Sequence, residues 1–599
     1  MFAMRFALLY VSAMLALAAC EPPKDKIPDT PMTPPAQQKV IVYQMMTRLF
    51  GNTNATNKTF GTLEENGVGK FSHISDKALQ GIRELGITHV WYTGVIEHAL
   101  MTDYSRFGIP VDHPAVVKGR AGSPYAIKDY YDINPDLADD VPNRMKEFEA
   151  LVERTHANGL KVLIDFVPNH VARQYRSDAK PAGFKDLGEG DDQSVSFKPG
   201  NNFYYLPGAS LQPPRDHRLP PGFSVSAPYN ETPAKVTGND QFTPSPGVNE
   251  WFETIKLNYG VDIQGGRRNY FEPVPDTWMK MKDILVYWAG KSVDGFRCDM
   301  AEMVPVEFWQ WAIPQVKAVN PAIVFIAEIY NPDQYRNYIQ TGRFDFLYDK
   351  VQLYDTLRLL VNGQSATQHI AGIQQSLDGI NHHMLHFLEN HDEQRFASRF
   401  FAGDAFKAIP AAVVSATIDQ GPMMIYFGQE VGEPGLGNEG FQSDDGRTTI
   451  FDYWGVPEHQ KWVNGGAYDG GRLSDEQKSL RQFYGDILTL ARDNPAINSG
   501  GYADVTVHNL GQGNIPHTVH AFVRFAGEEQ LLIVSNFSEK LLPVAIQIPS
   551  EVAEKLQWKT GRDYVGRDLL RSGADIGFDQ NRVARFEING YSAFVFKLK

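Results

Sequence analysis

The feature that most constrains this chain is a repeated pairing of short apolar runs with the amphipathic segments that precede them. "KVIVYQMMTRLF" opens the series. "ITHVWYTG" follows "DKALQGIREL", and "LKVLIDFVPNH" follows "RMKEFEALVERTHANG". "VDGFRCD" then follows "TWMKMKDILVYWAGKS", and "AIVFIAEIY" follows "PVEFWQWAIPQVKAVN". "HHMLHFLENHD" and "GPMMIYFGQE" complete the series. In "PVEFWQWAIPQVKAVN", Pro305 suits a first turn, and Phe308, Ala312, Gln315, Val316 and Val319 recur at helical spacing. Strands that are apolar throughout are buried on both faces, as parallel strands between helices are. About seven or eight such units, polar at their downstream ends, predict an α/β fold: a closed (β/α)8 barrel with its site at the C-terminal face.

Two regions interrupt the alternation. Residues 171–250 are rich in Gly, Pro, Asp and Asn, as in "KPAGFKDLGEGDDQ" and "SLQPPRDHRLPPGF". So long an irregular stretch reads as a functional insertion after the third strand. From residue 500 to 599, "TVHAFVRFAGEEQLLIVSNFS" and "RFEINGYSAFVFKLK" alternate with period two, predicting a C-terminal antiparallel β-domain. The barrel is thus expected in two parts, 38–170 and 251–499, and no internal repeat is seen.

With 599 residues, 42% of them apolar, the chain can bury a large core. Its net charge of −14 argues against nucleic acid or anionic membrane surfaces as the main partner. Two cysteines, Cys20 and Cys298, exclude a disulfide framework. Cys20 closes "MRFALLYVSAMLALAAC", which has a basic start, an apolar segment and small residues before the cysteine. This resembles a bacterial lipoprotein signal over residues 1–19, with Cys20 as the lipidated residue. Residues 20–37 then form a Pro-rich tether. The expectation is a protein exported and lipid-anchored in a bacterial envelope, at the outer membrane and facing the periplasm or the surface. The membrane is then a partner only through that anchor.

Four strand-end clusters carry the chemistry: "DFVPNH" (165–170), "DGFRCD" (294–299), "FIAE" (325–328) and "ENHD" (389–392). Alone, Arg297 and Asp299 could be an ion pair, a metal site or a nucleophile with its partner. Any single carboxylate at a strand end could equally cap the next helix. Together, Asp299, Glu328 and Asp392 end separate strands and converge above one barrel face. Three carboxylates in one site are electrostatically costly and need Arg and His to hold them. Arg297, two residues before Asp299 on a strand, points to the same side; Cys298, pointing the other way, reads as packing. Cleavage of a glycosidic bond needs this set. One carboxylate attacks the anomeric carbon, a protonated one serves the leaving oxygen, and a third stabilises developing positive charge.

In this order the clusters resemble the signature regions of the α-amylase superfamily of glycoside hydrolases, over nearly the whole chain after the tether. The resemblance implies a catalytic (β/α)8 barrel, an inserted domain B after the third strand and a C-terminal antiparallel β-sandwich. It implies Asp299 as nucleophile, Glu328 as general acid/base and Asp392 as transition-state stabiliser, with Arg297 supporting the nucleophile. His170 and His391 would hydrogen-bond the sugar in the reacting subsite, and Asp165 is also a motif position. "YAIKDYYDINP" resembles the segment where Tyr125 stacks on that sugar and Asp129 lies beside it. Asn169 matches the usual calcium asparagine, which implies a structural calcium between barrel and insertion and no organic cofactor.

The chain departs from the family after the nucleophile. Met303 stands where a histidine is common, Glu302 where lysine is frequent, and Met300 where threonine or valine marks linkage preference. The activity implied is retaining hydrolysis of α-1,4-glucosidic bonds in starch, maltodextrins or related α-glucans. A 4-α-glucanotransferase or a cyclomaltodextrinase/neopullulanase-like enzyme would use the same chemistry. A non-catalytic glucan-binding protein is the reading from another class.

Overall fold

Eight parallel strands close into a barrel: β1 (Ile41–Met46), β2 (His89–Thr93), β3 (Lys161–Phe166), β4 (Gly295–Cys298), β5 (Val324–Ala327), β6 (Phe346–Tyr348), β7 (Met384–Phe387) and β8 (Met423–Tyr426). Each pairs with its neighbour in sequence, and β8 returns to β1, with Met423 opposite Ile41. The computed structural model describes residues 38–214, 219, 227–441, 443–559, 561–570 and 573–599. The expected signal, Cys20 and the tether lie outside the described residues. Among those described, no helix is long and apolar enough to cross a membrane.

The strands are buried on both faces, as unbroken apolar runs require; β1, β2, β4, β7 and β8 have no exposed residue. The unit that the alternation does not single out is β6. It has three residues and follows a six-residue helix, Tyr335–Gln340, so neither element is long enough to show a period. The helix Val306–Val319 starts directly after Pro305. It buries Phe308, Trp309, Ala312, Ile313 and Val316, whereas Gln315 and Val319 face solvent. The expected stripe therefore holds for three of its five residues, Phe308, Ala312 and Val316.

The insertion is longer than the composition predicts. Its first ladder pairs His170–Ala172 with Thr254–Lys256, and a hairpin follows at Val261–Asp262 and Arg268–Asn269. The chain rejoins the barrel at the helix Asp276–Ala289. Strands of two or three residues carry too little alternation to mark those ends. The C-terminal region is a single antiparallel sheet of eight strands, not two separately hydrogen-bonded sheets. Its edge strands, Gly501–Asp504 and Leu542–Gln547, contribute Ala503 and Val544 to one shared apolar core. Buried Arg524 joins this sheet to the barrel region, donating to the carbonyls of Ile418, Ala496, Ile497 and Gly500.

Candidate active site

The register of β3, β4 and β5 sets the site. Arg297 lies opposite Asp165 on β3 and Ile326 on β5. Side chains alternate along β4, so Phe296 and Cys298 pack into the core while Arg297 turns into the barrel. Cys298 is fully buried, and burial pushes its thiol up, away from reactivity, as its place on the strand predicts. Asp299 and Glu328 stand one residue beyond their strands. They are held there by Asp299 N–H to the Phe166 carbonyl (2.9 Å) and Glu328 N–H to the Cys298 carbonyl (3.1 Å).

Arg297 is the hub. Its Nη1 lies 2.8 Å from Asp299 Oδ1 and 3.5 Å from Asp165 Oδ1, and Nη2 lies 2.8 Å from Glu328 Oε2. Its Nε donates to the Tyr348 hydroxyl at 3.2 Å. The ring centres of Trp91, Tyr125 and Tyr348 lie 5.2–5.5 Å from the guanidinium carbon. One delocalised cation, stacked among aromatic faces, thus serves three buried carboxylates. Burial pushes Asp165, Asp299 and Glu328 above the ordinary carboxyl range, and Arg297 works against that push in each. Asp392 raises Asp299 and Glu328 further, which places its charge in the same field.

Glu328 is also held by hydrogen bonds. Its Oε1 accepts from the Tyr330 hydroxyl at 2.6 Å and its Oε2 from Met300 N–H at 2.8 Å, Met300 being left-handed with φ 43°. Asp392 is more open. Burial raises it, but the charge and hydrogen bond of His391 outweigh that and hold it down at about 2. His391 Nε2 lies 3.1 Å from Asp392 Oδ2 and 2.6 Å from the Tyr125 hydroxyl, with its ring stacked on Tyr125 at 5.1 Å. Three buried carboxyls pushed up beside one held down include what a proton donor and a persistent anion need.

The structure gathers Asp299, Glu328, Asp392, Arg297, His391, Tyr125 and Asp165 around one point. His170 joins at the side: its ring reaches the Tyr125 backbone and lies 5.2 Å from Trp251, and burial pulls it down to about 3, leaving it neutral. Asp129 does not join. It is fully buried, and both its oxygens are taken by Tyr131 N–H, the Ser177 hydroxyl, Asp178 N–H and Ala179 N–H. It anchors the base of the insertion, so its expected place beside the sugar is corrected. Asn169, expected as a calcium ligand, is engaged by the chain itself. Its Nδ2 donates to the Gly238 carbonyl at 2.8 Å, and its Oδ1 accepts from the Lys256 ammonium.

Sequence reasoning missed Gln44, Trp91, Tyr330 and Tyr348. The Gln44 amide lies 2.7 Å from His391 Nδ1, and Trp91 Nε1 donates to Asp165 at 3.0 Å. Gln44 did leave a signal: a polar residue inside an all-buried strand must meet a partner. Glu302, where the chain departs from its family, accepts from Tyr330 N–H and Asn331 N–H and so holds the turn after Glu328. A cavity of about 940 Å³ opens at the N-terminal ends of the strands, lined by Lys39, Thr88, His89 and Lys161, with none of these carboxylates.

Comparison with known proteins agrees with this geometry. The family model for the α-amylase catalytic domain matches residues 44–191 and 273–458, more than half of the chain. α-Amylase 3 of Dictyoglomus thermophilum is 22% identical over 87% of this chain and 89% of its own. Neopullulanase 2 of Thermoactinomyces vulgaris is 20% identical over 89% of this chain and 76% of its own. Among solved structures, an α-amylase of Geobacillus thermoleovorans complexed with acarbose has the same fold. Its TM-score is 0.59 at 17% identity, covering 94% of this chain and 99% of that one. With the family model spanning both parts of the barrel and the site, the chain belongs to the α-amylase superfamily of glycosidases, enzymes acting on glycosyl bonds.

Proposed function

We propose that this protein is a retaining hydrolase of α-1,4-glucosidic bonds in starch, maltodextrins or related α-glucans. The observation that carries the reading is the pairing of Asp299 and Glu328 with adjacent nitrogens of one guanidinium, at 2.8 Å each. A nucleophile and a proton donor serving one glycosidic bond need to lie near each other, as two carboxyls on one guanidinium do.

Asp299, its carboxylate paired with Arg297 at 2.8 Å, attacks the anomeric carbon as Glu328 gives its proton to the leaving glycosidic oxygen. The C–O bond breaks and a glycosyl ester forms on Asp299. Glu328, now ionised, takes a proton from water as that water attacks the same carbon, and the ester bond breaks to return free Asp299. Asp392, kept anionic by His391, faces the positive charge that develops in both steps. Tyr125 and His391 present a stacked aromatic and imidazole surface to the sugar. The relatives named neopullulanase and cyclomaltodextrinase support a second reading in which the same intermediate meets other α-glucan acceptors or linkages.

Two measurements decide. Asp299→Asn should abolish turnover while leaving glucan binding intact; undiminished turnover would remove the nucleophile assignment. Chromatography of products from starch, pullulan, cyclodextrin and maltotriose should show shorter malto-oligosaccharides. Longer chains growing from maltotriose would move the reading to transfer. The envelope placement belongs to the same proposal: Cys20→Ser should shift the protein from the membrane fraction to the soluble one.

A further inference from the structure

We infer that the ammonium of Lys256, rather than a calcium ion, is the cation that joins the insertion to the barrel at Asn169. Lys256 ends the strand Thr254–Lys256, whose antiparallel register sets it opposite His170, one residue from Asn169. Its side chain is buried, and its Nζ reaches oxygens of three different elements. Asn169 Oδ1, just beyond β3, accepts from it. Asp240 Oδ1, from within the insertion, pairs with it at 2.9 Å. The Met303 carbonyl, from the turn after β4, lies at 3.5 Å.

An amide oxygen, a carboxylate oxygen and a backbone carbonyl are the hard donors that calcium takes. Here they number three and carry one formal negative charge. That suits an ammonium with three N–H groups and a single positive charge. Calcium takes six to eight oxygens, commonly with more than one carboxylate. A divalent ion placed on Asn169 Oδ1 would share that oxygen with a fixed ammonium and be repelled by it. Asn169 cannot turn another oxygen to a metal, because its Nδ2 is committed to Gly238 and lies 3.1 Å from His170 Nδ1. The donor set implied by the family is therefore present, but filled by the chain itself. Met303 contributes only its carbonyl, so the departure from histidine at that position leaves the contact intact.

The joint matters for the site, since Asn169 is adjacent to His170 and the insertion carries Trp251 against the His170 ring. A tethered cation keeps these residues in place at any calcium concentration.

The test compares calcium binding by titration calorimetry and melting with and without a chelator, using the full-length chain, Asn169→Ala, Asp240→Asn and Lys256→Met. Wild type and Asn169→Ala should bind the same number of calcium ions, and the chelator should shift both melting temperatures equally. Calcium held elsewhere, for example near Glu97, Asp132 and Asp178, whose oxygens lie within 4.8 Å of one another, would contribute equally to both and cancel. Lys256→Met should lower Tm by about 5 °C or more, because Asp240 and Asn169 lose their buried cation. One extra calcium bound by wild type and lost in Asn169→Ala would overturn the inference. If that variant does not fold, the same loss in Asp240→Asn would overturn it. An unchanged Tm for Lys256→Met would show that the ammonium does not hold the joint.

Discussion

Arg297 and Asp299 lie two residues apart in sequence, and Nη1 of the first is 2.8 Å from Oδ1 of the second. The other terminal nitrogen of the same guanidinium lies 2.8 Å from Glu328. One planar fork therefore fixes the spacing between two carboxyls from different strands. A lysine can supply the charge but not two nitrogens set beside two separate carboxyls. Arg297→Lys should lower kcat/KM by about 100-fold or more while leaving the fold intact. Steady-state kinetics with a far-ultraviolet spectrum tests this; a loss under threefold would contradict the role given to the fork.

The Tyr330 hydroxyl donates to Glu328 Oε1 at 2.6 Å, and that hydrogen bond favours the ionised carboxylate. Removing it raises the Glu328 pKa further. For a group that must be protonated to act, the alkaline limb of the rate profile then moves to higher pH. Tyr330→Phe should therefore show a raised alkaline limb and roughly a tenfold fall in kcat as Glu328 loses its fixed orientation. A limb that moves to lower pH would reverse the assignment.

His386, deep in β7, is flanked by Asp419 at 2.9 Å and Asp349 at 3.3 Å. Burial disfavours its charge, but the two aspartates outweigh burial and raise it to about 9. Since the folded value lies above the unfolded one near 6.5, its contribution is full below about pH 6.5 and is lost as pH rises through about 9. Asp419 is held down at about 2, so its share is present above about pH 4 and lost as pH falls through about 2. The histidine's share is on the order of 3 kcal/mol. Denaturant midpoints should therefore fall between pH 6.5 and 9.5 in wild type and change much less in His386→Gln. Parallel slopes for the two proteins would contradict this account.

Gly295 opens β4 where a Cβ would meet the Val324 carbonyl at 2.5 Å and Leu163 Cδ2 at 2.7 Å. The first obstacle is backbone and cannot swing aside. Gly295→Ala should cost about 1–3 kcal/mol through overpacking and disturb the strand that carries Arg297. Thermal melting together with activity is the check; a variant as stable and active as wild type would mean that β4 has room the distances deny.

The sequence determined the barrel, because seven apolar runs, four of them preceded by amphipathic helices, can be buried in few other ways. It also determined which carboxylates matter, since Asp299, Glu328 and Asp392 follow strand ends and strand register transmits that order directly into space. The tertiary structure decided what local pattern cannot carry. The strand Phe346–Tyr348 is too short to show a period, and only its neighbours' need for hydrogen-bond partners defines it. Asp129 and Asn169 match family positions, yet their roles depend on which donors reach them: two backbone amides and a hydroxyl from residues 177–179 in one case, the Lys256 ammonium in the other. Those partners lie about 50 and 87 residues away in sequence. Hydrogen bonds between residues so distant are set by how the chain packs, and spacing within a motif carries no record of them.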